Sequence, residues 1–360
     1  MNSSTPHEVF TKELLSWYQI YHRELPWRDT KDPYKIWLSE IILQQTRVSQ
    51  GLPYYQRFVA AYPRVEDLAQ APLQHVMRLW QGLGYYSRAK NLHKCALMVM
   101  QQHEGRFPRA YQDLLKLPGI GDYTASAIAS FAYSQAEPVV DGNVFRVISR
   151  VFGITSDITK PAVRKEFKQA ARELMPATAP DTFNQAIMEF GALQCTPKKP
   201  GCRECPFGET CHALNHNLVN DLPVKSKKTK TRDRFFNYFL VRYQDQLLMK
   251  ERTAKDIWQG LFDFLLLEQD TSYEPMASLE QHLPGADFMS KATVSEPSPV
   301  YRHKLSHQHI HARFTEIELL HERQVQAWKE VFDLQQFEVE EVQKLPKPIL
   351  IDNYLKAVIF

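Results

Sequence analysis

The nine residues Leu117–Ala125, LPGIGDYTA, decide how this chain is read. Two glycines one residue apart stand between a helix candidate, YQDLLKL, and a helix of small residues from Thr124 to Phe131. Such a turn leaves backbone N–H groups free at the start of the second helix, a seat for a phosphate oxygen. A dinucleotide fingerprint would need a preceding strand and a third glycine, and Thr124 occupies that third place. A P-loop would need Gly-Lys-Ser/Thr, which does not follow. What remains is helix, Pro-Gly-x-Gly turn, helix. It is either a plain helical hairpin or a cradle for a nucleic-acid backbone, which uses such a seat without reading sequence.

The surroundings of the turn are helical. From Val9 to about Leu214, segments such as FTKELLSWYQIY, YKIWLSEIILQQ, LQHVMRLWQGL and FRVISRVFGI repeat apolar residues at helical spacing between Pro- and Gly-bearing turns. This part is expected to be all-α, over residues 1–217. The run Val224–Arg234, VKSKKTKTRDR, holds six basic residues and one acid without apolar periodicity, and reads as a solvated linker assigned to residues 218–233. Strand-like stretches follow, FFNYFLVRY, QLLMKER, LFDFLLLE and HARFTEIELL, with a late helix near PILIDNYLKAVIF. Residues 234–360 are therefore expected to form a second, α+β domain.

Gross composition fits that division. A chain of 360 residues is long enough for two cores, and 44% hydrophobic with 24% charged residues is ordinary for a globular protein. A net charge of +3 does not announce a nucleic-acid binder, although a local basic face fits inside it. The opening MNSSTPHEVF lacks the blocks of a signal peptide, and no apolar run approaches the roughly 20 residues that span a bilayer. A cytoplasmic monomer with no membrane association is the expectation.

Of five cysteines, Cys95 sits in a helical pattern and reads as core. The others, Cys195, Cys202, Cys205 and Cys211, fall within CTPKKPGCRECPFGETC at spacing C-x6-C-x2-C-x5-C. Four thiolates so clustered suit a metal, zinc or an iron–sulfur cluster. The lysines and arginine among them (Lys198, Lys199, Arg203) would offset cluster charge or meet phosphates.

Two carboxylates attract attention. Glu40, in WLSEIILQQT, has apolar neighbours that would raise its pKa and suit a general acid, unless it faces solvent on its helix. Asp141, in PVVDGNVFRV, precedes a helix and could equally be an ordinary N-cap.

Taken in order, LPWR, WLSEIILQQT, GLGYYSRAKNLH, LPGIGDYTA, VVDGNVFRV, NQAIMEFGALQC and the four-cysteine loop resemble the helix-hairpin-helix DNA glycosylases, more narrowly the A/G-specific adenine glycosylases, over roughly residues 20–211. The resemblance implies a 4Fe–4S cluster on the four cysteines and DNA phosphate at Gly119 and Gly121. It implies excision of adenine from double-stranded DNA containing A:8-oxoguanine or A:G mispairs. Glu40 would protonate adenine and Asp141 would stabilise the sugar cation, with Tyr123 and Asn143 positioning Asp141 and the sugar. Arg28 and Glu189 would contact the adenine; Gln45 and Tyr85 would fill and wedge the gap in the duplex. The lyase relatives carry a lysine where this chain has Tyr123, so a monofunctional enzyme is expected. The second domain resembles the Nudix fold from YFLVRYQDQLLMKERTAKDIWQGLFDFLLLE onward, without the Glu-rich helix of a working Nudix hydrolase. It is read as the recogniser of the opposite 8-oxoguanine through Ser306 and His307. The family has an aromatic where this chain has Leu305, which puts stacking at that position in doubt.

Overall fold

The computed structural model describes residues 5–226, 231–269, 275–282 and 292–360. The chain folds into two compact units. Met1–Gln70 joins Asn91–Lys227 in the first, and Ala71–Lys90 joins Lys228–Phe360 in the second.

Among its described residues the first unit is helical throughout, as the periodicity implies. Its helices are α1 (Pro6–Tyr21), α2 (Pro33–Leu43), α3 (Val48–Ala61) and α4 (Val65–Gln70); α5 (Leu73–Trp80) belongs to the second unit. There follow α6 (Ser87–His103), α7 (Tyr111–Leu114), α8 (Asp122–Tyr133), α9 (Gly142–Phe152), α10 (Pro161–Leu174), α11 (Pro180–Leu193) and α12 (His212–Asn215). Local chemistry sets the starts. Thr5 and Glu8 form a capping box on α1, and Asp32 caps α2 ahead of Pro33 at its first position. The helix expected over YQDLLKL is shorter than its apolar pattern suggests. Pro118 disfavours helical backbone in the residue before it, so the chain leaves α7 early and turns.

The core of this unit packs Phe10, Leu14 and Trp17 of α1 against Val144, Val147 and Ile148 of α9 and Phe183, Ile187 and Phe190 of α11. Phe207, from the cysteine loop, stacks on Phe10 at 4.7 Å between ring centres and meets Phe190 edge-on at 5.1 Å. Burying one such ring contributes about 1.5–3 kcal/mol, so the loop is pinned to the core by its own phenylalanine. A second cluster, Ile36, Ala127, Phe131 and Val139, joins α2 to α8. Cys95 is buried in α6, and burial pushes its thiol up to about 12.

The second unit is built on β1 (Arg232–Tyr243), β2 (Gln246–Glu251), β3 (Phe262–Asp263), β4 (Leu265–Gln269), β5 (Ala292–Val294), β6 (Tyr301–Lys304), β7 (Gln308–Leu319) and β8 (Gln335–Glu338), with α13 (Pro275–Glu280), α14 (Glu322–Phe332), α15 (Val339–Lys344) and α16 (Ile349–Val358). Strands β1 and β7 run parallel at the centre, in register from Arg232 opposite Gln308 to Arg242 opposite Glu318. The other pairings are antiparallel: β2 and β4 on β1, β5 and β6 on β7, β3 and β8 on β2. Phe236 to Val241 are all buried, as in a strand covered on both faces, with Asn237 the one polar side chain among them. Trp328 and Phe332 of α14 cover one face with Phe239, Val241 and Leu248. On the other face Tyr354 of α16 stacks on Phe314 at 3.9 Å, and Phe314 on Tyr238 at 5.2 Å. This is the expected α+β domain. The basic run ends differently from its reading as solvated linker: β1 begins at Arg232, and Arg234 is 8% exposed. Its charge is neutralised by Asp256 and Glu268, partners that are distant in sequence.

Candidate active site

Helices α2, α8, α9 and α11, with the loop between α1 and α2 that carries Arg28, bring six residues to one recess in the first unit: Glu40, Tyr123, Asp141, Asn143, Arg28 and Glu189. Glu40 lies on the inner side of α2 at 7% exposure, which removes the solvent-facing reading. Burial raises its carboxyl to about 7. A hydrogen bond from Tyr123 opposes that rise, and the charge of Asp141 adds to it. The Tyr123 hydroxyl donates to Glu40 Oε2 at 2.7 Å. Burial holds the phenol well above its usual range, so it remains a donor. With Oε2 accepting, the proton of a neutral Glu40 belongs on Oε1.

Asp141 is the N-cap of α9, so the plain structural reading of this residue is correct and the catalytic one is compatible with it. Its Oδ1 accepts from the N–H groups of Asn143 (2.8 Å) and Val144 (2.9 Å), and its Oδ2 from Asn143 Nδ2 (2.7 Å). Burial raises its pKa, while these three donors and the helix N-terminus favour the anion. Two carboxyl groups thus share one recess, one oriented by a phenol and one cradled by N–H donors.

Sequence reasoning missed two arginines that hold this arrangement. Arg146 donates to Asn143 Oδ1 (2.7 Å), to the Gly191 carbonyl (2.6 Å) and to the Cys195 carbonyl (2.7 Å). It fixes the amide that in turn fixes Asp141. Its sign in the sequence is the i, i+3 spacing from Asn143. Gly191 permits this approach, since a Cβ there would sit 2.9 Å from the Asn143 carbonyl oxygen. Arg23 forms a fork on Glu189, Nε to Oε1 at 2.7 Å and Nη2 to Oε2 at 2.6 Å, and Arg28 joins at 2.7 Å. Burial alone would raise Glu189, but the bonds from both arginines outweigh it and hold the carboxyl at about 2. Glu189 is thus a fixed anion between two cations.

An outer groove shares Glu40, Tyr123 and Asp141 with the recess and adds Gln45, Gly121 and Arg164. Gln45 has a left-handed backbone, φ 55°. Gly119 turns the hairpin at φ 76°, where a Cβ would lie 2.8 Å from the Asn91 Cβ. Gly121 caps α8 without a side chain, and a Cβ placed there would meet nothing within 4 Å. The N–H groups of that helix start are therefore approachable, beside Asp122 and its ion-pair partner Lys168.

The four cysteines of the loop are all free thiols and line one further recess of the first unit with Val151, Phe190 and Leu214. Arg150 Nη1 lies 3.5 Å from Cys195 Sγ. Burial raises the thiols of Cys202, Cys205 (to about 11) and Cys211. Among the described residues no three His, Cys, Asp or Glu side chains are gathered as ligands of one ion.

In the second unit Tyr85, Ser306 and His307 line a separate cavity with Trp258, Lys304 and Gln308. Ser306 and His307 form the exposed tip of the β6–β7 hairpin, closed by Leu305 N–H donating to the Gln308 carbonyl at 2.7 Å. The hydroxyls of Tyr85 and Ser306 are in hydrogen-bond contact. No helix among the described residues is long and apolar enough to cross a membrane.

Comparison with known proteins agrees with both units. Residues 38–173 match the HhH-GPD superfamily base excision DNA repair proteins, and residues 237–357 match the NUDIX domain. The chain is 36% identical over 304 residues to an adenine DNA glycosylase of Buchnera aphidicola subsp. Schizaphis graminum, covering 84% of this chain and 86% of that protein. It is 44% identical over 214 residues to the adenine DNA glycosylase of Mus musculus, covering 57% of this chain and 42% of the other. Among solved structures, a thermostable thymine-DNA glycosylase superposes with a TM-score of 0.54 at 31% identity, over 58% of this chain and 97% of its own.

Proposed function

The chain belongs to the adenine DNA glycosylase family, and we propose that it hydrolyses the N-glycosidic bond of adenine mispaired with 8-oxoguanine or guanine in duplex DNA, leaving the strand uncut. The observation that carries this is the pair of carboxyls in one recess, Glu40 with its pKa raised to about 7 and Asp141 with three hydrogen-bond donors.

Adenine is a poor leaving group until protonated, and it must first leave the base stack to reach the recess. Glu40 Oε1 gives its proton to adenine N7. The C1′–N9 bond then breaks with its electron pair passing to the base, and Asp141 balances the sugar cation. Water bonds to C1′ and returns a proton to Glu40, restoring the acid. Tyr123 orients Glu40, and Asn143 holds Asp141. A phenol at position 123 offers no amine for a Schiff base, which supports a monofunctional reaction. Arg28 and Glu189 line the adenine side of the recess, and Gln45 and Tyr85 serve the duplex gap. The open start of α8 at Gly119–Gly121 takes DNA phosphate without reading sequence.

Cys195, Cys202, Cys205 and Cys211 would hold the 4Fe–4S cluster: they line one recess with an apolar wall and a guanidinium at its side, and their thiolates would have to draw together to ligate it. When bound, such a cluster cross-links its loop and exchanges single electrons. We assign residues 1–217 to catalysis, apart from Ala71–Lys90 of the second unit, the stretch from 218 to the start of β1 at Arg232 to the linker, and the remainder to 360 to recognition of the opposite base. Ser306 would accept the N7–H that 8-oxoguanine has and guanine lacks, with His307 adding a polar contact. One chain carries both sites, so a monomer suffices, and we place it in the cytoplasm.

Single-turnover release of adenine from a duplex pairing it with 8-oxoguanine tests this reading. Glu40→Gln should bind the duplex and lose excision by at least about 10²-fold, the low end of general acid catalysis. A near-normal rate in that variant removes Glu40 from the mechanism.

A further inference from the structure

We propose that Arg234 is a positioning residue for opposite-base discrimination, because its guanidinium ties together two walls of the cavity that contains Ser306 and His307. The inference rests on the assignment of that hairpin to the opposite base. One wall of the cavity is the turn Asp256–Gln259, a second is the hairpin Lys304–Gln308, and Gly84–Ser87 with Lys90 forms a third. Arg234 donates through Nη1 to Asp256 Oδ1 at 2.9 Å and to Gln308 Oε1 at 3.0 Å, and through Nη2 to Asp256 Oδ2 at 2.8 Å. Its remaining donors reach Glu268, Nε to Oε1 at 2.7 Å and Nη2 to Oε2 at 2.6 Å. The guanidinium also lies 4.8 Å from the centre of the Phe236 ring.

Other contacts also bear on these walls: Trp258 packs against His303 of β6 at 5.7 Å between ring centres, and the Tyr85 hydroxyl meets that of Ser306. Arg252 braces the turn, with Nη2 3.2 Å from Asp256 Oδ2 and Nε 3.2 Å from the Ile257 carbonyl. The hairpin has a backbone bond from Arg232 N–H to the His307 carbonyl at 3.0 Å. Through its side-chain bonds to Asp256 and Gln308, Arg234 spans both. A nearly buried cation with two carboxylates gives little net stability compared with apolar packing. It does give fixed geometry, since the planar fork presents its donors in set directions. A serine at the tip of a two-residue turn discriminates one hydrogen on a base only if its oxygen is held in place. The link through Gln308, which follows His307 directly, adds to the hold that the Tyr85 hydroxyl has on Ser306.

The test compares Arg234→Met, Arg234→Lys and Gln308→Ala with a Ser306→Ala/His307→Ala reference. The readouts are single-turnover adenine excision opposite 8-oxoguanine and opposite guanine at saturating enzyme, and affinity for both duplexes made with an uncleavable adenine analogue. Arg234→Met and Gln308→Ala should each lower the 8-oxoguanine preference by about three- to tenfold, the size of one lost hydrogen bond. The excision rate of the saturated 8-oxoguanine complex should stay within about twofold of the wild type in both, the loss appearing in affinity, as expected for a group that acts before chemistry. Arg234→Lys should fall between wild type and Arg234→Met, keeping charge without the fork. If Arg234→Met does not fold, Gln308→Ala decides, because it leaves the Asp256 and Glu268 bonds intact. Unchanged preference in Arg234→Met and Gln308→Ala, with the reference variant losing it, overturns the role of Arg234 and leaves the hairpin assignment standing. Unchanged preference in the reference variant overturns the hairpin assignment, and the inference with it. An equal loss on both duplexes, tracking a lower melting temperature, means a purely structural arginine and also overturns it.

Discussion

Replacing Glu40 with glutamine should stabilise the protein by an amount set by pH. Burial raises this carboxyl from 4.5 to about 7 in the folded chain, so the folded state holds the proton more tightly than the unfolded state. Its contribution to stability is complete below about pH 4.5, where both states carry the proton. It is lost as pH rises to about 7, because the unfolded chain has already released its proton while the folded chain must discharge it into a dry site. At about 1.4 kcal/mol per pH unit, that gap amounts to about 3 kcal/mol. Glutamine keeps the shape and an oxygen to accept from Tyr123 but carries no charge. The variant should match the wild type at pH 4.5 and exceed it by about 3 kcal/mol at pH 8. For a unit of this size that is about 6–12 °C in melting temperature. Thermal melts followed by circular dichroism at pH 4.5, 6, 7 and 8 measure the difference. A gap that does not change with pH, or a variant less stable at pH 8, refutes the reasoning. The expected cost is catalytic, a trade common where active sites store unfavourable burial.

Other outcomes follow from the same geometry. In the wild type, kcat/KM for excision should fall about tenfold per unit above about pH 7, since protonated Glu40 is the active form, and should fall again at acid pH as Asp141 takes up a proton. Asp141→Asn keeps the cap acceptor but removes the anion; excision should fall by at least about 10²-fold. The alkaline limb of its residual kcat/KM profile should move to lower pH, because the Asp141 charge helps raise Glu40. Gly119→Ala, strained at φ 76° and crowded by Asn91, should cost about 1–3 kcal/mol of stability and weaken duplex binding, measured by denaturation and fluorescence anisotropy. Cys205→Ser should lower iron content from about four per chain, measured by elemental analysis of protein prepared without air.

Much of this architecture was legible because its determinants are local. The apolar spacing of α1, α5 and α9 and the Pro-Gly-x-Gly turn are set by near neighbours, and so is the alternation that changes character after Arg234. Glu40 and Asp141 were visible as types of residue in suggestive surroundings. Whether Glu40 faced inward was not, because α2 is apolar around most of its circumference and no periodicity selects a face. Arg23 and Arg146 escaped notice because their roles depend on Glu189 and on the carbonyls of Gly191 and Cys195, positions far along the chain. Arg234 was hidden for a different reason. It closes a basic run whose composition suggests solvent, and its partners Asp256, Glu268 and Gln308 come together only when the sheet forms. The short strands β5, β6 and β8 carry three or four residues each, too few for alternation to register.

The central claim is hydrolytic removal of adenine by a carboxyl acid without an amine nucleophile. The direct measurement is product analysis of a duplex with adenine opposite 8-oxoguanine, incubated with excess enzyme in the presence and absence of borohydride. Free adenine should appear with an intact abasic strand, and borohydride should trap little covalent protein–DNA adduct. Strand cleavage with efficient trapping, or an unreleased adenine, would contradict the account.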